Sequence, residues 1–177
     1  VEKEALRLLD ACAAPGGKLF HIKEALTAAG LKHQLYALDN KAKRLDDIAH
    51  LGERLGHSTH SHKHTLMSDD RRKIIAEDSI VLGCADASES PLPFTEAFDA
   101  ILIDAPCSGS GTIRRNPDIR LLLTPDALQQ LSVQQHRLIQ NLWQHLKPGG
   151  TLVYSTCSVF AEENDQVIHS FLVKNKD

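Results

Sequence analysis

No apolar run in this 177-residue chain approaches the ~18 residues needed to cross a bilayer, and no signal peptide opens it. A membrane-spanning or secreted protein is therefore not expected. A basic surplus is missing as well: the net charge is −3 with ten histidines counted neutral. That excludes little about nucleic acid, because a local patch of arginines suffices. Cysteine is scarce, four residues in all, and Cys12, Cys84, Cys107 and Cys157 stand far apart. No CxxC pair occurs, so neither a zinc site nor a disulfide framework is expected, and reduced thiols in the cytoplasm fit better. Two phosphate-binding signatures are also missing. No glycine stands five residues before Gly17, and Leu19 occupies the place where a P-loop requires Ser or Thr. The G-x-G-x-x-G dinucleotide fingerprint does not occur. Internal repeats are absent.

What is present is the composition of an ordinary globular domain, 42% hydrophobic and 24% charged, long enough for one core. Residues 98–109 organise it. The run Ala100 to Ile103 is short and apolar, as in a buried parallel strand, and it ends in Asp104, Pro106 and Cys107 where the chain must turn. A second thiol, Cys157, arrives in the same way after the apolar residues from Thr151 onward. In open α/β sheets the carboxyl ends of strands carry the ligand chemistry.

In chain order, Leu6–Asp10 reads as the first strand, followed by a small-residue turn over 11–18 and a helix over about 18–29 with Ile22, Ala25, Leu26 and Ala29 at helical spacing. Gly30 stops it. Residues 34–39 form the second strand, and 41–55 a helix with Leu45, Ile48, Ala49 and Leu51 inward and Lys43 and Arg44 on a solvated face. The histidine-rich stretch 56–65 is read as a polar loop rather than a metal site, because no acid or cysteine completes it. Residues 68–73 are expected to be exposed. Residues 80–87 are the third strand and its end, with Asp86 at the strand terminus and Cys84 as a small buried filler. After Cys107 the chain is glycine-rich and then basic, and Arg114, Arg115 and Arg120 either hold phosphates or form a charged surface loop. A long amphipathic helix runs from Thr124 or Pro125 to about Leu146, capped by Thr124, with Leu128, Leu131, Leu138, Ile139 and Leu142 inward. Residues 147–150 turn into the fifth strand, and a last helix over 162–173 packs through Val167, Ile168, Phe171 and Leu172.

Alternating strands and helices predict an α/β fold with a doubly wound, mostly parallel sheet. The turn of Cys12, Ala13, Ala14, Pro15, Gly16, Gly17 and Lys18 lets a ligand approach the backbone at a helix N-terminus. Asp39, about twenty residues on, stands where a carboxylate accepts ribose hydroxyls, although alone it reads equally as a helix N-cap. With Asp86 at a further strand end, the pattern describes a nucleoside-bearing ligand without a phosphate demand. S-adenosylmethionine fits, with its amino-acid part at the turn, its ribose on Asp39 and its adenine near Asp86.

The segments 9–18, 104–108 and 155–158, followed by Glu162, Glu163 and Asn164, resemble the RNA cytosine-5 methyltransferases of the NOL1/NOP2/Sun family. Residues 113–119 resemble its bacterial Sun/Fmu branch, which modifies 16S ribosomal RNA. The resemblance spans most of the chain apart from about 57–79. It implies the Rossmann-like fold of S-adenosylmethionine-dependent methyltransferases, Cys157 as nucleophile toward cytosine C6, Cys107 assisting product release, and Asp104 bonded to the base. It adds Lys18, Arg44 and Asp104 to the cofactor's surroundings. It implies a small-subunit ribosomal RNA partner, a cytoplasmic monomer and no metal. The same chemistry on transfer RNA or another ribosomal site is the nearest alternative, and a non-catalytic RNA-binding or assembly module a more distant one. Leu19 and Phe20 depart from the smaller or hydroxyl residues expected after Lys18. Residues 1–177 are expected to be the catalytic domain of a longer protein, truncated at its C-terminal end. Without an upstream RNA-binding region and the last two strands, cofactor-site residues are expected to be retained and RNA affinity, and activity with it, to be lost from this piece.

Overall fold

The computed structural model describes residues 4–61, 80–95 and 97–175. Six strands, β1 (Leu6–Asp10), β2 (His33–Asp39), β3 (Thr59–Ser61), β4 (Ile80–Cys84), β5 (Phe98–Asp104) and β6 (Leu146–Ser155), form one sheet in the order β3-β4-β2-β1-β5-β6. Every pairing is parallel. The helices are α1 (Gly17–Ala28), α2 (Ala42–Leu55), the short α3 (Ile119–Leu122), α4 (Pro125–Trp143) and α5 (Asp165–Lys174).

Successive residues of a strand point to opposite faces, and β2 shows what that achieves. Leu35 and Ala37 join Leu19, Phe20, Leu45 and Ile48 of α1 and α2 in one core. Tyr36 and Leu38 join Ile101, Ile103, Leu138, Ile139 and Leu142 in the other, closed by Val167 and Phe171 of α5. A strand buried on both faces must read as a continuous apolar run, as β2 does. Tyr36 sits edge-on to Phe94 and Phe98, with ring centroids 5.0 and 5.2 Å apart.

From β1 the chain adds β2, then β3 at the outer edge and β4 between β3 and β2, before crossing back to place β5 on the other side of β1. The sequence direction therefore reverses between β1 and β5, and a crevice opens above their carboxyl ends. The turn after β1 and the cysteine-bearing loop after β5 both stand at that crevice.

Several local expectations are corrected. The stretch read as a wholly polar loop contains β3, an edge strand paired with β4 on one side only; polar residues suit such an edge and hide the strand signal. His62, His64 and residues 68–73 lie outside the described residues. Residues 147–150 belong to β6 as an irregularity, with Phe98 opposite Leu146 but Ala100 opposite Thr151 and Gly149 at φ +78°. On α1 the buried positions are Leu19, Phe20 and Lys23, whereas Ala25 and Ala29 are exposed. Alanine carries too little apolar area to set a face against Leu and Phe. Leu172 is exposed at 55%. Cys84 is exposed rather than buried, at the end of β4. No helix among the described residues is long and apolar enough to cross a membrane.

Candidate active site

The turn after β1 is built without bulk. Gly16 has φ +104°, a conformation that side chains resist, and a Cβ there would come within 3.0 Å of the Phe20 ring. Gly16 N donates to Ala13 O at 2.7 Å and Phe20 N to Gly16 O at 3.0 Å, closing the turn onto α1. Ala13 N donates to Leu38 O of β2 at 2.9 Å. Leu19 and Phe20 are core residues of the α1–α2 layer, so their size is absorbed by that core. Gly17 has open space beside it.

Asp39 ends β2 and is only 4% exposed. Its Oδ1 accepts from Lys41 N at 3.0 Å, and its Oδ2 lies 3.1 Å from Arg44 Nη1. Arg44 also donates from Nη2 to Ala14 O at 2.9 Å. Its side chain remains 47% exposed on the solvated face, while its guanidinium folds back and joins the acid of β2 to the turn after β1. Asp86 accepts from Ser88 N at 2.8 Å and Ser88 Oγ at 2.7 Å, both on Oδ1, so it also orders its own loop. Cys12 is half-buried, and burial followed by the charge of Asp10 pushes its thiol up to about 12. That is a packing cysteine.

Asp104, at the end of β5, is held from two sides. Lys18 Nζ from the turn lies 2.6 Å from its Oδ2, and Ser155 Oγ of β6 donates to Oδ1 at 2.9 Å. The hydrogen bond to Asp104 raises the Lys18 ammonium above its ordinary range. Beneath this pair Asp10 is 3% exposed and, among the described residues, accepts only from Cys12 N, at 3.4 Å. Burial pushes its carboxyl up to about 7, and the neighbouring charge of Asp104 adds to the effect.

Cys107 and Cys157 follow adjacent strands, and their Sγ atoms stand 3.2 Å apart. Cys157 N also donates to Cys107 Sγ at 3.3 Å. The two thiols are not equivalent. Cys157 is exposed, whereas Cys107 is half-buried and is pushed up to about 11 by burial and by its contact with Cys157. At neutral pH Cys107 keeps its proton. Gly111 N donates to Cys157 O at 2.9 Å, and a Cβ at Gly111 would meet that oxygen at 2.8 Å, so the approach of the two loops needs glycine there. Arg114 and Arg115, with Gly111 and Thr112, line a cavity of about 510 Å³ next to the loop.

The structure thus brings Lys18, Asp104, Cys107 and Cys157 together, and sets Asp39 and Arg44 beside the turn of residues 12–18. Sequence reasoning placed Ser155 and Glu163 in the family motif without a role, whereas the structure shows Ser155 steadying Asp104 and Glu163 buried; it missed the buried Gln135 altogether. Gln135 carried a usable signal, a polar residue between Leu131 and Leu138 on the apolar stripe of α4.

A model of the family described as 16S rRNA methyltransferase RsmB/F matches residues 1–177. The ribosomal RNA small subunit methyltransferase B of Klebsiella pneumoniae strain 342 is 40% identical over 171 residues, 97% of this chain and 34% of its own length. The chain spans about a third of the length of the curated relatives it matches. NSun6 from Pyrococcus horikoshii, solved with SFG, superposes with a TM-score of 0.73 at 27% identity, over 97% of this chain and 37% of that one. A methyltransferase homologue from Pyrococcus horikoshii gives 0.70 at 31% identity, over 98% of this chain and 46% of that one. These likenesses agree with the Rossmann-like fold described above, and the chain belongs to the 16S rRNA methyltransferase RsmB/F family.

Proposed function

We propose that this chain is the catalytic domain of an enzyme that methylates C5 of a cytosine in 16S ribosomal RNA, using S-adenosylmethionine and a covalent cysteine–cytosine adduct. The observation that carries the reading is the pair of inequivalent thiols 3.2 Å apart beside Asp104. C5 of cytosine is a poor nucleophile, and a thiolate added to C6 makes it enamine-like. Covalent catalysis of this kind divides one hard step into easier ones.

S-adenosylmethionine, when bound, supplies an electrophilic methyl group. The residues present fit it: an unobstructed small-residue turn at the start of α1, and an acid at the end of the next strand. SFG, which accompanies the Pyrococcus NSun6, is an analogue of that cofactor, which supports the assignment. Asp39 receives the ribose hydroxyls, sharing its oxygens with Arg44, and Asp86 lies toward the adenine.

Cys157, the exposed thiol, attacks C6. Asp104, fixed by Ser155 and Lys18, hydrogen-bonds the base near N3 and stabilises the adduct. Lys18 lies within electrostatic reach of Cys157. Once C5 carries the new methyl group, a base removes the C5 proton and the bond between C6 and Cys157 breaks. Cys107 keeps its proton at neutral pH and touches the departing sulfur, which suits it to assist release. The cytosine must leave its stack to reach these groups, so a looped or flipped base is the substrate form. The partner is small-subunit ribosomal RNA, and the setting a cytoplasmic monomer.

Calorimetric titration of S-adenosylmethionine into the chain and into Asp39→Ala tests the cofactor site. Saturable binding that weakens about tenfold in the variant is expected for the loss of charge-assisted hydrogen bonds. Equal affinity in the two proteins removes Asp39 from the site.

A further inference from the structure

We infer that Glu163 is a positioning residue that sets the spacing of the two thiols, by tying the loop that carries Cys107 to the loop that carries Cys157. Glu163 is fully buried. Its Oε1 accepts from Ser108 N at 2.8 Å and from Gln135 Nε2 at 3.0 Å, and its Oε2 accepts from Ser108 Oγ at 2.6 Å. Gln135 Nε2 donates in addition to Pro106 O at 2.8 Å. The residues on both sides of Cys107 are therefore held by one carboxylate and the amide bonded to it. Across the gap, Ser158 Oγ lies 3.3 Å from Ser108 Oγ and 3.1 Å from Ser110 Oγ, and Val159 N donates to Ser110 Oγ at 3.0 Å. Tyr154 OH donates to the Glu163 carbonyl at 2.7 Å and fixes that residue to β6.

No Lys, Arg or His pairs with Glu163 among the described residues. A buried carboxylate served only by neutral donors is costly to keep. Burial works against its ionisation, yet the bonds from Ser108, Ser158 and Gln135 hold it below the ordinary carboxylate range. A charge kept at such a place binds its donors more tightly than a neutral acceptor would. Two of those donors, Ser108 and Ser158, adjoin the thiols in sequence.

The inference rests on reading Cys107 and Cys157 as the working thiols, but the measurement that tests it does not need methyl transfer. Phenylarsine oxide condenses with two thiols, forming two As–S bonds and releasing one water, so its affinity reports how well a thiol pair is preset. The wild-type chain is expected to take up one equivalent, and Cys107→Ser to lose this two-point capture. Glu163→Gln is expected to bind the arsenical about tenfold more weakly, with unchanged helix content by circular dichroism and unchanged S-adenosylmethionine affinity. Folded E163Q that binds it within twofold of wild type overturns the inference. If E163Q does not fold, Ser108→Ala decides in the same way, since it removes one of the Glu163 bonds and leaves the carboxylate. A full-length wild-type protein that captures the arsenical but transfers no methyl group to cytosine counts against the proposed function and leaves the clamp standing.

Discussion

Replacing Asp10 by Asn should make the protein more stable, and increasingly so as the pH rises. Asp10 closes β1 beneath the crevice, is 3% exposed, and has one long hydrogen bond, from Cys12 N at 3.4 Å. Burial moves its carboxyl from 3.8 to about 7. Between those values the folded chain holds a proton that the unfolded chain has released, so stability falls as pH rises through the window and levels off above it. Each pH unit across the window is worth about 1.4 kcal/mol. Integrated from pH 5 to pH 8, the wild type loses roughly 2–3 kcal/mol through this one group, and Asp10→Asn loses none of it. Urea unfolding of both proteins at pH 5 and pH 8 measures the difference, because most other titrating groups cancel between them. A gap between variant and wild type that is equal at the two pH values refutes the argument.

Other perturbations follow from the packing and the loops. Ile139→Ala removes a side chain that is 1% exposed in the α4 core and should cost about 2–5 kcal/mol in a urea melt. Thr124→Ala deletes the cap in which Thr124 Oγ1 accepts from Ala127 N at 3.2 Å, a loss of about 1 kcal/mol by the same assay. Gly111→Ala forces a methyl group against the Cys157 carbonyl oxygen; it should slow alkylation of Cys157 or lower its yield while leaving S-adenosylmethionine affinity unchanged in calorimetry.

The parallel sheet was legible because β1, β2, β4 and β5 are apolar runs closed by acids or small residues, which buried strands must be. The edge strand β3 was not, since Thr59, His60 and Ser61 pair on one side only and carry no apolar run. Both thiols could be assigned to strand ends from sequence. Their 3.2 Å separation could not, because it depends on β5 and β6 being neighbours in the sheet. Arg44 shows the limit of periodicity: its Cα lies on the outer face of α2, but its side chain is long enough to return to Asp39 and Ala14. Ser155 and Glu163 act across distances of fifty residues or more, on Asp104 and Ser108, and no local pattern announces such pairs.

The central claim, a covalent route through Cys157, is tested most directly by offering the full-length protein that contains this chain, which spans about a third of its relatives' length, a short single-stranded RNA with methyl-labelled S-adenosylmethionine. The account predicts label in 5-methylcytidine with the wild type, none with Cys157→Ala, and a covalent protein–RNA complex that accumulates with Cys107→Ala. Label at the wild-type level in Cys157→Ala, or on any atom other than C5, contradicts it.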